Sequence, residues 1–179
     1  MTEPLQNQSA FPSQGDSSRA LAEQGTTHRI DWKRAILAGI AGTIAFDLIG
    51  LLSNGKWSTP AMLAGKLDLP FAGGVLAHYG NGVILAIVFA GVGPSLWGPN
   101  WFRGLTYMLA EEIFGVWLFL NPLLGMGIAG LKAGPMTPVI SLAKHLVFGL
   151  VVAFLYRVTD SNTAGARLRT GPPLPLGHG

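Results

Sequence analysis

The chain has no cysteine. That excludes a disulfide framework, a thiolate metal site and a cysteine nucleophile. Charge is also scarce. Asp, Glu, Lys and Arg make up 12% of the 179 residues, against about 25% in soluble domains. No Glu-x-x-His pair occurs anywhere in the chain, so the ligand pattern of di-metal carboxylate bundles is missing. The excess of basic residues is a net +3, and these residues flank apolar runs instead of forming the surface stripe that nucleic-acid binding needs.

What remains is mostly oil. Apolar residues make up 49% of the chain. They gather into four runs, about 35–53, 73–93, 103–120 and 138–156. Each is near the ~20 residues that cross a bilayer as a helix. None has the polar face of a helix on a soluble core. The expected fold is all-α: an integral membrane four-helix bundle over residues 29–158, built from two similar transmembrane hairpins, with short interfacial helices in the outer loops. Residues 1–28 and 159–179 are polar, rich in Gln, Ser, Gly and Pro, and are expected to be disordered cytoplasmic tails.

Orientation follows from basic residues. Arg29, Lys33, Arg34, Arg103, Arg157, Arg167 and Arg169 fall on one side of such a bundle, and Lys56, Lys66 and Lys132 on the other. The bias puts both termini in the cytoplasm. In the outer loops, Thr59-Pro60 and Asn121-Pro122 each pair a capping residue with a proline suited to a first turn, which predicts a short helix in each loop.

The two halves resemble each other. "DLIG" (47–50) in the first run matches "EIFG" (112–115) in the third. His78 with Gly82 in the second matches His145 with Gly149 in the fourth. At 1.5 Å per residue, Asp47, His78, Glu112 and His145 lie at about 18, 21, 13 and 16 Å from the inner ends of their runs, one common layer. Thr43, Asn81 and Ser141 share their helical faces. Glu111 and Lys144 lie about 100° round the helix, which predicts a second pairing between them. Three carboxylates and one ammonium leave the layer two units negative when the histidines are neutral. Protons or a bound divalent cation must offset that charge, since an isolated charge at this depth costs several kcal/mol. Asp47, His78, Glu112 and His145 are therefore the candidate ligands of one divalent metal (Fe, Mn or Zn).

The segments "GIAGTIAFDLIGLL" and "LAHYGNG", with the repeated hairpin, resemble small bacterial four-span inner-membrane proteins of an uncharacterised, unknown-function family. The likeness covers about residues 34–157. It implies a bacterial inner (plasma) membrane setting and carries no activity or site residues. The expected function is that of a non-enzymatic multi-pass protein whose acid/histidine layer binds a metal or relays protons, using the near-neutral titration of histidine. Two alternatives stay open. One is a scaffold or accessory subunit of a membrane complex, whose polar layer only locks helix packing. The other is a bis-histidine haem protein, which ranks lower because three carboxylates would crowd an anionic cofactor. The expected partners are the lipid bilayer and a homo-oligomeric or membrane-complex partner, not nucleic acid. No enzyme nucleophile stands out, since Ser141 is near His145 only as a helical neighbour.

Overall fold

Asp31 starts the first helix. Its carboxylate accepts the Arg34 amide at 3.0 Å, satisfying one of the unpaired N–H groups of a helix start. This helix, α1, runs Trp32–Asn54 and stops at Gly55, whose φ of 64° turns the chain left-handed while its N–H reaches back to the Leu51 carbonyl, the turn glycine makes at least cost. A computed structural model describes residues 29–158 in this way. The two expected tails, 1–28 and 159–179, lie outside the described residues. Among the described residues there are helices and no strands.

Helix α2 covers Ser58–Lys66, α3 Phe71–Val92, α4 Asn100–Ala110 and α5 Thr137–Leu155. Prolines set several of these boundaries, because proline has no N–H to give and a fixed φ. Helix α3 starts after Pro70 and α4 after Pro99. Pro94 lies in the 3-10 turn Gly93–Ser95 that follows α3, and Pro138 sits in the first turn of α5.

Two local expectations are corrected. Thr59 does not cap α2: Trp57 occupies the cap position without a side-chain bond, and the Thr59 hydroxyl is used elsewhere. Asn121 does not open a new helix either. The turn Asn121–Leu123 continues the preceding helical segment, and only the 3-10 turn Ile128–Gly130 follows before α5. Five backbone positions between Gly125 and Gly134 have positive φ, so the loop coils too tightly for a regular helix.

The third apolar run is not a uniform α-helix. Helix α4 passes at Glu111 into a π-helix, Glu111–Leu120. Such i→i+5 turns are rare and cluster at functional sites. The wider turn brings consecutive side chains closer in azimuth than the ~100° of an α-helix.

Helix α1 is central and packs against α3 and α5, while α4 packs on α5 and α2 on α3. Two glycine crossings set the closest approaches. A Cβ on Gly39 would lie 2.7 Å from the Val83 Cα and 2.8 Å from the Gly82 carbonyl oxygen. A Cβ on Gly149 would lie 2.6 Å from the Gly104 carbonyl oxygen, and one on Gly104 would strike the Gly149 carbonyl. Small residues admit this backbone-to-backbone packing between membrane helices.

The exposure pattern is inverted relative to a soluble protein. Leu52 is 83% exposed, Leu76 75% and Phe114 68%, whereas Glu112 is 0% exposed. An apolar outside around a polar inside suits a lipid solvent. Three helices are long and apolar enough to cross a membrane, within Trp32–Ser53, Phe71–Ser95 and Thr137–Leu155.

Candidate functional site

Two imidazoles and an ammonium collect around one ring. Phe46 on α1 is 8% exposed. The His78 ring lies 5.3 Å from its centroid and the His145 ring 4.9 Å, edge-on. The Lys144 ammonium sits over its face at 4.2 Å, within cation–π range. Phe46 thereby sorts the expected ligands into two groups.

On one side, His78 Nε2 and Asp47 Oδ1 are 2.9 Å apart, a contact between α3 and α1. The Gly39–Gly82 crossing below it fixes the spacing of these helices, and Thr43 fills the gap beside Gly82, with its hydroxyl donating to the Gly39 carbonyl at 2.8 Å. On the other side, His145 of α5 meets the π-helix. His145 Nδ1 is 2.6 Å from Glu112 Oε2, and Nε2 is 3.6 Å from Glu111 Oε2. Nδ1 is also 2.9 Å from the Ser141 carbonyl. The contact with the Ser141 carbonyl is a hydrogen bond, and the shorter one with Glu112 is a close ion-pair contact. Both Glu112 oxygens are thus buried without a directed hydrogen bond, and Glu111 Oε2 shares that condition. The ligand atoms of Glu111, Glu112 and His145 lie within 4.8 Å of one another.

The arrangement suits a cation. When Nδ1–H donates to the Ser141 carbonyl, Nε2 keeps a free lone pair, the usual way a backbone acceptor prepares a metal-binding imidazole. Bond lengths near 2.1 Å in tetrahedral geometry place ligand atoms about 3.4 Å apart, and Nε2 and Glu111 Oε2 are 3.6 Å apart. Asp47 and His78 are not part of this three-residue group. The four residues expected as one ligand set form two acid/histidine pairs, with Glu111 adding a third ligand to the second.

The expected Glu111–Lys144 pairing is corrected. Lys144 donates to Thr59 Oγ1 at 3.1 Å, and Gly50 makes room for it: a Cβ there would lie 3.3 Å from the ammonium nitrogen. Glu111 turns to His145 because the π-helix narrows the angle between it and Glu112. Asn81, halfway along α3, is exposed. Trp117 holds its indole N–H buried without an acceptor.

A cavity of about 570 Å³ reaches this layer, touching His78, Asn81, Glu111, Ser141, Lys144 and His145. Phe46 and the π-helix are features that apolar patterning passed over. A phenylalanine in an apolar run carries no distinguishing signal, and i→i+5 bonding is decided by packing. In comparisons with protein-family models, curated proteins and solved structures, the chain has no match.

Proposed function

We propose that the protein is a four-span integral membrane protein that binds one divalent transition metal at Glu111, Glu112 and His145. One observation carries the reading: Glu112 is fully buried and, apart from the close contact of Oε2 with His145, neither of its oxygens has a hydrogen-bond partner, nor does Glu111 Oε2 beside it. Unpaired buried carboxylates are costly, and a divalent cation offsets both. One imidazole with two carboxylates suits Fe, Mn or Zn, and a three-residue set leaves coordination positions for an exogenous ligand. Ser141 orients His145, and the Gly104–Gly149 crossing holds the π-helix against α5.

The fourth crossing is the continuous helical path from Asn100 through the π-helix to Leu123. The two hairpins are read as a duplication. Gly39, Asp47 and Gly50 recur at one spacing as Gly104, Glu112 and Gly115, and His78 and Gly82 as His145 and Gly149. In both halves the glycines cross and the acid meets the imidazole. The setting is the bacterial inner membrane. Arg29, Lys33, Arg34 and Arg157 near the ends of the bundle favour both termini inside.

A proton relay is the second reading, favoured by a cavity that touches His78, His145 and Glu111 together. Elemental analysis of protein purified in detergent separates the two. The metal reading expects about one transition metal per chain, lost in Glu112→Gln and kept in His78→Leu. Metal-free wild type that stays functional overturns it in favour of the relay, and a Soret band would point to haem instead.

A further inference from the structure

The cavity is larger than a metal site needs. Pockets that enclose one small molecule measure about 300–1,000 Å³, and this one measures about 570 Å³. Its wall is divided. Met62 and Leu63 of α2, Val116 and Phe119 of the π-helix and Ile140 of α5 line it with apolar surface. Lys144, Asn81 and Asn121 supply N–H donors.

Two of the walls, α3 and the π-helix, are not among the closely packed helix pairs. Asn81 and Phe119, one on each of these elements, both line the cavity and are exposed. Asn81 is midway along α3, so a gap beside it would face the middle of the bilayer, where lipid-dissolved molecules reside. An amide directed at hydrocarbon costs free energy unless it meets a polar partner.

The charges on the wall narrow the ligand class. Glu111 lines the cavity, and Asp47 and Glu112 are close behind it through their histidines, which disfavours an anion. Lys144 disfavours a cation. Its ammonium has three N–H groups. One bonds Thr59, one face meets the Phe46 ring, and the ammonium has no further hydrogen bond among the described residues. A neutral molecule with an oxygen acceptor completes this shell.

We propose that the cavity binds a neutral, lipid-soluble carbonyl compound of the quinone or aryl-ketone type. Its ring lies against Val116, Phe119 and Ile140, and its oxygen accepts from the Lys144 ammonium. The molecule enters sideways from the bilayer between Asn81 and Phe119. The site is independent of the proposed metal, although both share His145 and Glu111 at their boundary.

The test uses the full chain in nanodiscs and two probes of matched shape: a para-benzoquinone with one isoprenoid unit, and the aryl hydrocarbon with the same tail. Isothermal titration reads both affinities. Wild type should prefer the quinone by at least about tenfold, the scale of one hydrogen bond to a charged donor. Lys144→Met keeps the hydrocarbon stem and should abolish the preference while retaining hydrocarbon binding. Ala77→Phe, which fills the cavity from α3, should abolish binding of both probes, with helical circular dichroism and metal content read as controls. Glu112→Gln should lose metal and keep quinone binding, so the two sites fail separately. Equal wild-type affinities for the two probes, or quinone binding untouched by a folded Ala77→Phe protein, would overturn the proposal.

Discussion

Gly104→Ala should destabilise the protein, and the structure sets the size of the effect. The added methyl would lie 2.6 Å from the Ala153 Cβ and would strike the backbone carbonyl of Gly149. Ordinary contact begins near 3.4 Å, so α4 and α5 must separate by at least about 0.8 Å, because a carbonyl in a helix cannot rotate away as a side chain can. Overpacking of this kind costs about 1–3 kcal/mol. Alanine returns about 1 kcal/mol of helix propensity. With backbone blocking on both sides of the crossing the overpacking cost falls at the top of its range, and the expected net loss is about 2 kcal/mol. Gly80→Ala is the control. It lies in α3 with nothing within 4 Å of its new Cβ, so it keeps the propensity gain and should stabilise by about 0.5–1 kcal/mol. Reversible unfolding in mixed micelles, with SDS as denaturant, measures both. The separation should also draw Glu112 from His145, so metal content should fall in Gly104→Ala alone. If the two variants proved equally stable, the close crossing would not be what holds these helices.

Other expectations concern the pairs and the ends of the bundle. His78→Leu leaves the Asp47 carboxylate buried beside an apolar group and should cost about 3–5 kcal/mol, whereas His78→Leu with Asp47→Leu should recover most of it in a double-mutant cycle; additive losses would mean that the 2.9 Å contact is not an energetic unit. Asn100 donates to the Ala153 and Tyr156 carbonyls and accepts from the Val158 amide. Asn100→Ala should therefore cost about 1–3 kcal/mol and speed amide exchange in the last turn of α5, with unchanged exchange as the contrary result. The absence of native cysteine gives a clean background for labelling: Lys56→Cys and Arg157→Cys should react with membrane-impermeant maleimide from opposite sides of sealed vesicles. Reaction from one side would refute the proposed four crossings.

The sequence alone determined that the chain is helical and suited to lipid. Runs of apolar residues with almost no charge leave the backbone no better way to satisfy its N–H and C=O groups, and prolines and glycines mark where the helices stop. It also singled out Asp47, His78, Glu112 and His145, because an ionisable group in such a run stands out against its neighbours. Tertiary structure decided how they combine. Depth along a helix is readable from 1.5 Å per residue, but azimuth depends on the helix type and on what it crosses. The π-helix turned Glu111 toward His145 and away from Lys144. Phe46, unremarkable in a list of apolar residues, stands between the histidines and carries the lysine. The cavity arises because α3 and the π-helix part while their neighbours close on glycines, a matter of three-dimensional spacing that no local pattern encodes.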